Sequence, residues 1–194
     1  MEYLFSEAII QAVSQNTQGY IDTAIKIIGI VGGLIAAFKA ISEIREGRIL
    51  RERDYRWKQT NAAKELIDAM MNDKLALAAA SMLDWDKNIY FDDNKRSFMI
   101  SHQEVVRALR IENLKFSSKE KFIRDAFDKF LNYLEFMEQF IKNDLFKYED
   151  ILYPIEYYIR AAKEKHILDA LEVYIKEYNF NNSELFIKRF TQKK

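Results

Sequence analysis

Cysteine is absent from the 194-residue chain, which removes disulfides, thiolate nucleophiles, zinc fingers and iron–sulfur ligation together. Histidine occurs only twice, too seldom for a His-rich metal centre. Proline occurs once and glycine five times, and no glycine follows Gly47, so Pro154 is the one strong breaker in the rest of the chain. Tight hairpin turns draw on glycine, and its scarcity predicts an all-α body. Charge of one sign is not in excess either: 30 Lys+Arg face 30 Asp+Glu, which argues against a dedicated nucleic-acid binder. No P-loop, no G-x-S-x-G and no H-E-x-x-H can be found, so neither a cofactor nor a standard catalytic centre is expected. What is present is apolar material, 49% hydrophobic with 14% aromatic. That suffices for a core and excludes wholesale disorder.

The longest apolar run, IIGIVGGLIAAF over residues 27–38, is short for a hydrocarbon layer of about 30 Å. Lys26 and Lys39 bracket it, and their aliphatic stems can snorkel, so the usable stretch widens to 21–41, roughly 31 Å of helix. One crossing is expected within residues 19–42. Basic residues crowd its C-terminal side, at Arg45, Arg48, Arg51, Arg53, Arg56 and Lys58, whereas residues 1–20 carry no Lys or Arg. The positive-inside rule then places the C-terminal body in the cytoplasm and the N-terminus outside. The lack of a basic n-region and of a clean A-x-A site predicts an anchor that stays attached. Residues 1–18 read as a short amphipathic helix with Leu4, Phe5, Ala8, Ile9, Ala12 and Val13 on one stripe. Inside the span Gly29 and Gly33 form G-x-x-x-G, and Gly32, Ala36 and Ala40 extend a small-residue ridge suited to a homodimer.

Residues 43–58 read as a basic stalk with charges spaced for i,i+4 pairing, and 59–194 as a cytoplasmic domain of about six helices. Asn72-Asp73 interrupts the first apolar period, and a second helix follows over 75–83. The stretch DWDKNIYFDDNKRSF, residues 84–98, loses periodicity and is expected to be an irregular loop with Trp85 pinned on the core. Two helix starts are written plainly: Ser101-x-x-Glu104 and Ser117-x-x-Glu120 are capping boxes. They should open a short helix near 102–110 and a long one near 118–142. The long helix carries an aromatic stripe that includes Phe122, Phe130 and Tyr133, which reads as core. Asn143-Asp144 should close it, Pro154 should take a first turn or mark a kink, and the last helices should lie near 167–178 and 183–190.

Candidate chemistry is sparse. Asp84, Asp86, Asn88 and Asp92 match positions 1, 3, 5 and 9 of a calcium loop, but Ile89 replaces the turn glycine and Lys95 the bidentate glutamate. No metal is therefore expected. Arg160 and His166 have the R-x(4–6)-H spacing of HEPN ribonucleases, in which arginine would stabilise phosphate charge and histidine would serve acid–base cleavage. The bland alternative is an exposed helix face where Glu156, Arg160 and Glu164 pair. His102 follows Ser101, but neighbours in sequence do not make a dyad.

The order of anchor, basic stalk, AAKELIDAMMND, ALAAASMLDWD and then FLNYLEFMEQFIKNDLFKYEDILYPIEYYI resembles an uncharacterised bacterial family of single-span membrane proteins with a cytoplasmic helical domain. The resemblance runs from the anchor to about Ile159. It implies fold and topology and no catalytic motif. The expected function is thus a membrane-anchored interaction or regulatory module that meets the lipid bilayer, a cytoplasmic protein partner and, through the small-residue ridge, a second copy. The alternatives are a membrane-tethered HEPN-like ribonuclease, as toxins or defence effectors are, and an oligomeric effector that perturbs membranes.

Overall fold

The computed structural model describes the backbone of residues 2–92, 95–112, 115–164 and 166–192, and the side chains of residues 26, 29, 32–92, 95–112, 115–163 and 166–189. Seven helices and one hairpin appear among them: α1 (Glu2–Asn72), α2 (Lys74–Asp84), β1 (Lys87–Phe91), β2 (Ser97–Ser101), α3 (His102–Ala108), α4 (Ser118–Lys142), α5 (Tyr148–Glu164), α6 (Ile167–Glu177) and α7 (Asn181–Gln192). The chain divides into two compact units, residues 1–55 and 56–194. Helix α1 supplies the first unit and its last turns open the second. It is unbroken from Glu2 to Asn72, so the segments expected at 1–18, 19–42 and 43–58 are parts of one helix. Among the described residues no helix is long and apolar enough to cross a membrane. The side chains at 1–25, 27, 28, 30 and 31, which include much of the expected span and all of the expected amphipathic stripe, lie outside the described ones.

The second unit is the predicted helical bundle, with two corrections. Residues 84–98 are not an irregular loop: β1 and β2 pair antiparallel with Tyr90 opposite Phe98 and Asn88 opposite Ile100. The hidden signal is a period of two. Tyr90 and Ile100 turn inward, and the rings of Tyr90 and Phe98 lie 6.5 and 5.5 Å from that of Phe122, while Ile89, Phe91 and Met99 face out. No glycine is needed, because the connection is longer than a primed two-residue turn. The Asp92 carboxylate accepts the Arg96 N–H at 2.8 Å, and Lys95 takes the left-handed conformation at φ 59°. Trp85 is also corrected: it ends α2 and is 58% exposed rather than pinned on the core.

The core is built around α4, which packs against α2, α3 and α7. Its buried stripe, Phe122, Ile123, Ala126, Phe127, Phe130, Leu131, Leu134 and Met137, follows from apolar residues at spacings of three and four. Both capping boxes form. The Ser101 and Ser117 hydroxyls accept the N–H of Glu104 and Glu120, and each glutamate reaches back to the serine N–H. Asp73 caps α2 by accepting the N–H groups of Leu75 and Ala76. Pro154 lies inside α5, past its first turn, and the helix continues through it. This leaves the Asp150 carbonyl without its usual N–H donor four residues on. With glycine absent, the left-handed positions that end or separate helices fall to Asp144, His166 and Asn179.

Candidate functional site

The most unusual surface in the first unit is apolar. Leu34, Phe38 and Ile41 are spaced by four and three residues along α1, which puts them on one face, with Ile35 and Ile44 at its flanks. Their exposures are 66, 78, 65, 64 and 60%. At 3.6 residues per turn Gly32, Ala36 and Ala40 fall on the opposite side of the helix. A Cβ added at Gly29, Gly32 or Gly33 would meet nothing within 4 Å. No contact among the described residues therefore calls for glycine at these three positions, although each weakens a helix by about 1 kcal/mol relative to alanine.

Beyond this face, Arg45, Arg48, Arg51 and Arg53 are exposed. The Arg51 Nε donates back to the Gly47 carbonyl at 3.1 Å. In the second unit the pattern changes. Arg56 grips both oxygens of Asp150, Gln59 is buried with its Nε2 donating to the Asp144 carbonyl at 2.8 Å, and Ala63 and Met70 enter the core. Lys58 and Trp57 stay on the surface, Trp57 with 65% exposure.

Each residue singled out for chemistry has its own place and partners. Asp84 accepts the Tyr157 hydroxyl at 2.6 Å, and Asp86 lies 3.1 Å from the His102 Nδ1. Asn88 accepts the Ile89 N–H, and Asp92 is held by Arg96 at the hairpin turn. Four oxygen donors with four separate engagements do not form a calcium cage, and among the described residues no three metal-ligating side chains cluster. Arg160 is on α5, exposed and paired with Glu156 at 2.8 Å. His166 stands where α5 gives way to α6, exposed, in the left-handed region at φ 57° and without a side-chain capping bond. The Glu164 side chain, the third member of the expected pairing face, lies outside the described residues.

Charged groups inside the second unit tie helices together. Arg124 is buried. Its Nη1 donates to the Ala108 and Arg110 carbonyls and its Nη2 to the Tyr178 hydroxyl at 2.6 Å. Its guanidinium also lies 4.3 to 5.0 Å from the ring centres of Phe116, Tyr174 and Tyr178. This joins α3, α4 and α6 through a planar cation, a role lysine cannot fill. Burial pushes the carboxyl of Asp128 up, against the hydrogen bond it accepts from Tyr174, whose phenol is itself pushed well above its ordinary range by burial and by that carboxylate. Glu120 is held down to about 2, first by the Ser117 N–H and then by Arg110. The fully buried Glu138 carboxylate is clasped by Arg189 at 2.7 and 3.0 Å, fastening α7 to α4. Each of these groups has partners within the bundle.

Compared with known proteins, the chain matches no family model, no curated protein and no solved structure.

Proposed function

We propose that the protein is a membrane-tethered interaction module: α1 enters the plasma membrane around residues 21–41, and the helical unit of residues 56–194 is held on its cytoplasmic side to engage a protein partner. The observation that carries this reading is the face of Leu34, Ile35, Phe38, Ile41 and Ile44, all at least 60% exposed on α1. Taken out of water together, these five side chains are worth on the order of 10 kcal/mol, which makes a lipid environment the natural complement. The arginines that follow suit the headgroup region on the inner side. A second copy belongs to this reading, because Gly32, Ala36 and Ala40, opposite the apolar face, would let another backbone approach closely.

The test is alkaline carbonate extraction of the full chain together with protease protection of a C-terminal tag in spheroplasts. Retention in the pellet with a shielded tag is the expected result. Release into the supernatant would make the apolar face a protein-binding surface and remove the membrane from the proposal.

A further inference from the structure

A half-open cleft of about 770 Å³ lies in the second unit, where the hairpin meets the first turns of α2 and α4. This is within the range of small-molecule sites. Three lysines converge on it from distant parts of the sequence: Lys74 at the start of α2, Lys95 in the hairpin turn and Lys121 in the first turn of α4. All three are exposed, and among the described residues none is paired with a carboxylate. The other charges differ. Arg96 is neutralised by Asp92 at 2.6 Å, and Asp73, beside Lys74, spends its carboxylate on the N–H groups of α2 and on Lys129. Asp125, one turn beyond Lys121, is the remaining acid of the lining among the described residues. Among the described residues the cleft thus keeps a net positive charge.

Its walls are not only cationic. Phe122 forms part of the lining at 7% exposure, and Phe91, on the outward face of β1, lines the same space at 68% exposure. A large ring left in water beside unpaired ammonium groups is a combination the fold itself does not require. We propose that this cleft binds a nucleoside polyphosphate, with Lys74, Lys95 and Lys121 taking the phosphate chain and Phe91 stacking on the base. Asp125 is then available to accept from ribose or base N–H and O–H groups. The chain's balanced total charge and the confined volume favour a small ligand over a nucleic-acid strand. The site lies wholly within residues 56–194, so it stands or falls separately from the membrane reading.

The experiment is isothermal titration calorimetry of the full chain, in a mild non-ionic detergent with EDTA, against ATP, inorganic pyrophosphate and a short-chain phosphatidylglycerol. Saturable ATP binding is expected, weakening as salt is raised. Lys74→Ala and Lys121→Ala should each lower ATP affinity about tenfold, Lys121→Arg should retain it, and Lys64→Ala, on the exposed face of α1, should leave it unchanged. Phe91→Ala should lower ATP affinity about fivefold or more and leave pyrophosphate affinity alone. No saturable ATP heat, or full ATP affinity in a triple Lys74→Ala, Lys95→Ala, Lys121→Ala variant that melts like the parent, would overturn the proposal. So would phosphatidylglycerol binding through the three lysines without ATP binding, since the phosphate source would then be a lipid headgroup.

Discussion

Arg56 reaches both carboxylate oxygens of Asp150 at 2.8 and 2.5 Å, across 94 residues of sequence, and the Asp150 side chain is only 6% exposed. The same carboxylate accepts the Lys147 N–H at 2.9 Å, so it secures the start of α5 and the end of α1 together. Bidentate geometry with one partner nearly buried distinguishes this pair from the solvated arginines that precede it. Asp150→Ala should lower stability by about 2 kcal/mol, and Arg56→Ala by less. A double-mutant cycle read by thermal melting should return a coupling of about 1 kcal/mol; simple additivity would show the pair to be ornamental.

Glu120 offers a pH test. Its carboxyl is held down to about 2 from an ordinary value of 4.5 by the Ser117 N–H and by Arg110. A group lowered on folding contributes stability that is complete above its unfolded value and is lost as the pH falls towards its folded one. Melting temperatures of the parent and Glu120→Gln should therefore differ at pH 7, converge between pH 4.5 and 2, and coincide below. A gap that does not change with pH would mean that the carboxylate charge is irrelevant and that only shape was lost.

His166 occupies a left-handed position with no capping bond from its side chain. For a residue with a Cβ that conformation costs about 1 kcal/mol or more. His166→Gly removes the strain, and after the loss of unfolded-state restriction it should gain about 0.5 kcal/mol. Urea denaturation checks the sign. A destabilised variant would mean that the imidazole makes a contact worth more than the strain.

Phe38→Asp places a charge in the middle of the exposed apolar face. Three residues from the end of the proposed span it should cost less than the about 3 kcal/mol of a central position, and the loss is read as a shift of the full chain from the carbonate-resistant pellet to the supernatant. Lys39→Ala, at a snorkelling position, should leave the distribution unchanged. Equal retention of Phe38→Asp would argue that residue 38 does not meet lipid.

Local chemistry was legible and assembled chemistry was not. The two capping boxes, the closure of α4 at Asn143-Asp144 and the aromatic stripe of α4 are specified by residues within a few positions of one another, and each forms as the spacing predicts. The hairpin escaped notice because its inward pairs, Tyr90 with Phe98 and Asn88 with Ile100, are matched across a turn and show no helical period. Asp84, Asp86, Asn88 and Asp92 imitate a ligand loop in sequence, but strand pleating and the turn send them to different partners. Lys74, Lys95 and Lys121 show the opposite case. No local pattern marks them, because only the packing of the hairpin against α2 and α4 makes them neighbours of one cleft.

The two tryptophans, Trp57 and Trp85, are 65% and 58% exposed, and this governs what light can report about the molecule. Their emission in the native state should already carry the red-shifted signature of indole in water, so unfolding should change its wavelength little. A blue shift would then signal coverage of these rings by lipid or a partner. The packed tyrosines around Arg124 behave in the reverse sense: their near-ultraviolet dichroism depends on fixed mutual orientation and should vanish with the fold. One chain thus carries an optical channel for docking and a separate one for integrity.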